Sequence, residues 1–213
     1  MNNFTTALLS MAFIVVASEN LQAAVPAPWN IGYRVELLTS DGDPANDMMG
    51  SGAFLRYAIT DRYQAEIAFE YLEYDFESPQ RYLGYPRTSG EDLAGRTRLT
   101  LVSAKLERAW GQPPQLFRPF AFLGLGLGYA KVDDMASEAE GQSFDIDAEG
   151  DLESVPAGGV GLRYQQARWM VEIGVKVERH LTEWTLEDRR TGRVVEVGDY
   201  TAWGAWIGSG VRF

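Results

Sequence analysis

The sequence predicts an all-β fold: an eight-stranded antiparallel up-and-down transmembrane β-barrel, preceded by a cleaved signal peptide. Three observations carry that prediction. The last eleven residues, Trp203 to Phe213, alternate with a period of two and end on an aromatic side chain. Seven further segments alternate in the same way. Their connections are short and long in turn, which suits a membrane barrel with tight turns at one rim and longer loops at the other.

The elements follow in order. Residues 1–24 read as the signal peptide. Ala7 to Ala17 is an apolar core too short to span a bilayer as a helix, and Leu21-Gln-Ala-Ala24 supplies small residues for cleavage after Ala23 or Ala24. The region before that core carries no Lys or Arg, so the α-amino group is its one positive charge. Residues 25–213 form the barrel domain. Strand one covers 30–38, followed by a polar connection over 39–49. Strand two covers 50–59, with a tight turn at 60–62. Strand three covers 63–74 and leads into a long segment over 75–94 with Pro79, Gly84, Pro86 and Gly90. Strand four covers 96–108, with a turn at 111–115. Strand five covers 117–132 and opens a long acidic loop that ends at Glu153. Strand six covers 154–164, strand seven 168–181, and strand eight 199–213, after a loop around Arg189-Arg190-Thr-Gly192.

The two faces differ sharply. One carries Ile31, Tyr33, Val35, Leu37, Leu55, Ile67, Phe69, Leu123, Leu125, Leu127, Val160, Ile173 and Val175, with almost no charge. The other carries the cations Arg34, Arg56, Lys105, Arg163, Lys176 and Arg212 and the anions Glu36, Glu66, Glu70, Glu107, Glu172 and Glu178. Strand four is ambiguous by periodicity, because Leu99 and Leu101 share parity with Lys105 and Glu107. Lys or Arg at mid-bilayer costs roughly 2–4 kcal/mol, whereas an inward leucine costs far less. Thr100, Val102, Ala104 and Leu106 are therefore expected to face lipid. A soluble lipocalin-type barrel, the structural alternative, would put its apolar face inside. Aromatics favour the membrane: one set flanks the short turns (Tyr57, Tyr63, Trp110, Phe117, Tyr164, Trp169), and a second lies near the long loops (Tyr71, Tyr74, Tyr129, Trp184, Tyr200). The inward charges are expected to pair, since so narrow a barrel holds packed side chains and unpaired buried charge is expensive. Inward glycines such as Gly32, Gly124, Gly161 and Gly174 are expected to make room for them.

Candidate chemistry is sparse. The chain has no cysteine and one histidine, His180, which argues against a zinc or other transition-metal site. A formal charge of −11 argues against nucleic acid or an anionic lipid surface as the main partner. No run of about 18 apolar residues is present, which excludes a transmembrane helix but not a barrel. Asp145, Asp147, Glu149 and Asp151 alternate like the first half of an EF-hand loop. However, Pro156 stands at the twelfth position and the flanks read as strands, leaving at most a loose surface Ca²⁺ or Mg²⁺ site. Gly124-Leu-Gly126-Leu-Gly128 alternates within a strand and is not a nucleotide fingerprint. No catalytic residue, cofactor or resident metal is expected.

Tyr164, the stretch from Pro119 to Tyr129 and the ending Gly210-Val-Arg-Phe213 resemble the small eight-stranded outer-membrane barrels of Gram-negative bacteria, such as the OmpA-type transmembrane domain, OmpX and OmpW. The resemblance covers the whole chain after the signal peptide. It implies an outer-membrane location and contact with outer-membrane lipid and lipopolysaccharide. It also implies insertion by the barrel-assembly machinery, which would read Trp203, Ala205, Ile207, Val211 and Phe213 as the assembly signal. A monomer with a structural or surface-interaction role, and no enzymatic activity, is the leading expectation. A narrow OmpW-like transporter of small or hydrophobic compounds is the alternative. His180-Leu-Thr182 also loosely resembles the His-x-Ser element of lipid A deacylases, with Thr in place of Ser.

Overall fold

The computed structural model describes residues 29–40, 45–77, 94–111, 116–132, 135–139, 142–150, 152–182, 184–196 and 198–213. The expected signal peptide lies outside them. The strands in chain order are β1 (Trp29–Ser40), β2 (Ala45–Ala58), β3 (Tyr63–Glu77), β4 (Ala94–Ala109), β5 (Phe117–Val132) and β6 (Met135–Ala139). They continue as β7 (Gln142–Glu149), β8 (Leu152–Gln166), β9 (Trp169–His180), β10 (Thr185–Asp188), β11 (Arg193–Glu196) and β12 (Tyr200–Arg212). Eight of them close an antiparallel barrel in the order β1-β12-β9-β8-β5-β4-β3-β2. The closing strand β12 pairs with β1 from Asn30↔Arg212 to Ser40↔Ala202, and with β9 on its other side. No sheet edge is left in the barrel wall.

The wall is built by alternation. Along β5 the odd residues Leu123, Leu125 and Leu127 face outward, Leu123 with 75% of its surface exposed, while Phe120 and Phe122 are buried. The ambiguous strand β4 has Val102 and Leu106 outside and Leu99, Leu101, Lys105 and Glu107 buried. The apolar face is therefore outside and the charged face inside, the reverse of a lipocalin.

Glycines let the interior fill. In register, Gly32 lies opposite Phe54, Gly161 opposite Phe120, Gly159 opposite Phe122 and Gly174 opposite Trp206. A Cβ on Gly161 would come within 2.6 Å of Phe120 Cζ, and one on Gly174 within 2.8 Å of Trp206 Cζ2. Each aromatic ring thus occupies the space that a side chain on the opposite glycine would need.

The structure corrects the sequence reading in three places. The segments expected as open loops contain β6, β7, β10 and β11, which form a second, four-stranded sheet in the order β11-β10-β7-β6. Residues 142–149 form β7, with Asp145 and Asp147 two apart along it. Tyr74, Trp184 and Tyr200 belong to a buried cluster with Leu38, Met48, Leu72 and Leu99, not to an aromatic girdle. Tyr74 and Tyr200 sit on the inward parity of their strands. Among the described residues the outward loop-side aromatics are Tyr71, Tyr129 and Trp203. Finally, Val211 is on the outward parity but only 5% exposed. It lies between Ile31 and Trp169 in register, and these larger neighbours cover it.

Candidate functional site

The interior of the barrel holds two ion-pair clusters, one around Arg34, Arg56, Lys105 and Arg163 and one around Lys176. Arg163, from β8, donates to Glu107 at 2.7 and 2.5 Å and to Glu172 at 3.0 Å. Arg56, from β2, donates to Glu66 at 2.5 Å and to Glu172 at 3.0 Å. Arg34 donates to Glu66 at 2.5 Å, and Lys105 to Glu70 at 2.7 Å, where Ser103 adds a hydroxyl at 3.0 Å. Lys176 lies 2.6 Å from both Glu36 and Glu178. All of these side chains are buried. Charge-assisted, bidentate contacts of this kind are the strongest available to a buried carboxylate. The guanidinium carbons also lean on rings: Arg34 and Arg56 lie 4.7 Å from the Phe54 centroid, and Arg163 lies 4.6 Å from that of Phe120.

The twelve charges that the sequence pattern puts inside do not all meet. Eleven of them are the buried groups just named. Arg212 is half-buried at the short-turn rim, opposite Asn30 in register. Sequence reasoning missed Arg118. It is buried on the inward parity of β5 and donates to the backbone carbonyls of Asp61 and Gly111, tying two turns together. Its parity, shared with Phe120 and Phe122, was the available signal.

The network leaves little space. A void among Arg34, Arg56, Glu66, Lys105, Phe120 and Trp206 measures about 10 Å³, room for no more than one water.

Towards the loops the interior changes character. Glu153 of β8 accepts from the Trp184 indole at 3.0 Å and lies 3.0 Å from His180 Nδ1. Glu178 lies 3.7 Å from His180 Nε2. The imidazole stacks on Tyr200, with ring centroids 4.4 Å apart, and the Tyr200 hydroxyl meets that of Tyr74 at 2.9 Å. This group sits above the apolar belt. On β9 the outward run ends at Val177, and the next outward residue, Arg179, pairs with Asp199 at 3.5 Å. Burial by itself would push the His180 pKa down. The hydrogen bonds and negative charge of Glu153 and Glu178 outweigh it and hold the imidazole above its ordinary value. Burial pushes the Tyr74 and Tyr200 hydroxyls well up. His180 thus points inward, fully covered, and presents no imidazole to the outer face. Thr182 is also buried, and its backbone N–H donates to Asp199 at 3.2 Å.

The acidic stretch of β7 has its own partner. Arg189 lies 3.3 Å from Asp145 and 2.8 Å from Asp147. Asp151 and the Glu149 side chain lie outside the described residues. Among the described residues no group of three or more metal-ligating side chains converges.

The outward apolar wall, the inward charges and the filled bore define a class: a membrane-type β-barrel with a plugged interior. No protein-family model matches the sequence, and no curated protein is similar to it. Solved structures share the fold. Neisserial surface protein A is similar with a TM-score of 0.52 and 13% identity, over 88% of this chain and 98% of that one. A major outer membrane protein from Thermus thermophilus is similar with a TM-score of 0.52 and 9% identity, over 86% and 99% of the two chains. The outer membrane protease OmpT from Escherichia coli is similar with a TM-score of 0.51 and 8% identity, over 92% and 100%. At such identities the likeness is one of fold, and it includes a protease as well as a surface protein.

Proposed function

We propose that this chain is a non-enzymatic outer-membrane barrel of a Gram-negative bacterium, with a structural or surface-interaction role. Residues 1–24 direct its export, and Trp203, Ala205, Ile207, Val211 and Phe213 present the closing strand to the barrel-assembly machinery. It works as a monomer among outer-membrane lipid and lipopolysaccharide. The likeness of fold to outer-membrane proteins supports the location. The observation that carries the role is the filled interior: paired charges, a void of about 10 Å³ and, above them, a buried apolar cap. Such a bore neither conducts nor admits a substrate, which speaks against the narrow-transporter reading. Conductance tests it. Protein reconstituted in planar bilayers should give no steady current, and steady channels would overturn the plugged-barrel role in favour of transport.

A further inference from the structure

The outer face carries a feature that insertion alone does not require. At the short-turn rim, Tyr63, Arg108, Ala121 and Val160 stand in one outward row across β3, β4, β5 and β8, and Ala65, Leu106, Leu123 and Gly158 in the next. Ala121 and Gly158 are low points between taller side chains. They help line a groove of about 530 Å³ with Leu106, Leu123 and Val160, a size typical of small-ligand sites. Arg108 closes its rim end. The guanidinium carbon lies 6.0 Å from the Tyr63 ring centroid and 5.7 Å from that of Trp110. Two girdle aromatics therefore hold this cation at the depth where amphipathic rings mark the headgroup level. Among the described residues no carboxylate forms an ion pair with it, so its forked donors are available to an anion.

We propose that this groove binds one glycerophospholipid of the adjoining leaflet, with an acyl chain along Leu106, Leu123 and Val160 and the phosphate on Arg108. The proposal rests on the membrane reading above. Charge and depth select the occupant. The groove lies inside the apolar belt, where the solvent is acyl chain, and a single cation at its interfacial end matches a single phosphate.

Native mass spectrometry tests it on the protein expressed with its full sequence and purified in detergent. Three probes are added: a phosphatidylglycerol, the diacylglycerol with the same chains, and inorganic phosphate. One phosphatidylglycerol should be retained and the other two should not. Arg108→Gln should weaken retention about tenfold, the worth of one charge-assisted contact. Ala121→Phe, which fills the groove floor, should weaken it as well. Arg62→Gln, at an exposed turn position outside the groove, should leave retention unchanged. Equal retention of the diacylglycerol, retention of phosphate alone, an equal loss in Arg62→Gln, or a groove-dependent dimer would each overturn the proposal. Heat-dependent gel mobility reports whether each variant folds, and Arg108→Gln suffices if Ala121→Phe does not. A wild-type protein that stays soluble and monomeric without detergent overturns the membrane reading, and this site with it.

Discussion

Two levels of the barrel fill the same bore with opposite chemistry. In the lower level, Arg34, Arg56, Arg163, Glu66 and Glu172 are buried inside, while Ile67, Leu123 and Ile173 are exposed outside. In the upper level, Leu38, Leu72, Leu99 and Trp184 are buried inside, and the outer wall carries Glu73 paired with Arg96 at 3.0 Å and Arg179 beside Asp199. The change runs along single strands. On β4 the inward residues pass from Glu107 and Lys105 to Leu101 and Leu99, as the outward ones pass from Leu106 and Val102 to Arg98 and Arg96. A wall that faces hydrocarbon puts its polar groups inside. A wall that faces water returns to the ordinary arrangement. We read the crossover as the edge of the membrane.

Breaking the lower level should cost most. Glu172→Ala strands Arg56 and Arg163 without their shared carboxylate, and losing one partner of a buried charge network costs about 3–5 kcal/mol. Urea unfolding in detergent micelles measures it, and a loss under about 1 kcal/mol would show that water already reaches the network. The upper level should behave as an ordinary core. Leu99→Ala should cost about 2–3 kcal/mol in the same assay, through lost burial and a residual cavity.

The glycine–aromatic rows come next. Gly161→Ala places a Cβ 2.6 Å from Phe120 Cζ, so overpacking should cost about 1–2 kcal/mol. Pairing Gly161→Ala with Phe120→Leu should recover part of that loss, and no recovery would mean the glycine serves the backbone alone.

The smallest effect expected is the pH dependence at the junction of the two levels. The folded pKa of His180 is raised, so the stability it contributes is full below its unfolded value and is lost as pH rises through the folded one. The stability gap between wild type and His180→Gln should be widest below about pH 6 and shrink at higher pH. A gap that ignores pH would mean the imidazole acts by packing on Tyr200 alone.

Much of this was legible in the sequence because a strand reports its faces locally. The orientation of β4 needed one energetic choice, lysine inside against leucine inside, and the structure has Lys105 and Leu99 both buried. What the sequence hid depends on register between distant segments. Nothing local to residues 185–188 announces pairing with β7, and β10 gains its place through Leu186↔Ala148. Val211 looks lipid-facing until Ile31 and Trp169 are seen on either side of it. The aromatic partners of the lumen arginines, Phe54 and Phe120, were likewise invisible, since a ring opposite a glycine is a fact about two strands at once. At the candidate site, Arg118 stood on the inward parity next to the first residue of its strand, beside a turn, and Glu153 fell at the end of the stretch read as an acidic loop.

The central claim is the direction of the two faces, and the absence of cysteine makes it directly measurable. Single variants Leu123→Cys and Val175→Cys on the outer face, with Arg62→Cys at an exposed turn, can each carry one small fluorophore in reconstituted bilayers. Brominated acyl chains should quench the labels at 123 and 175 strongly and leave the label at 62 bright, with aqueous iodide quenching the label at 62 alone. Iodide quenching at 123 and 175, or lipid quenching at 62 alone, would contradict the account.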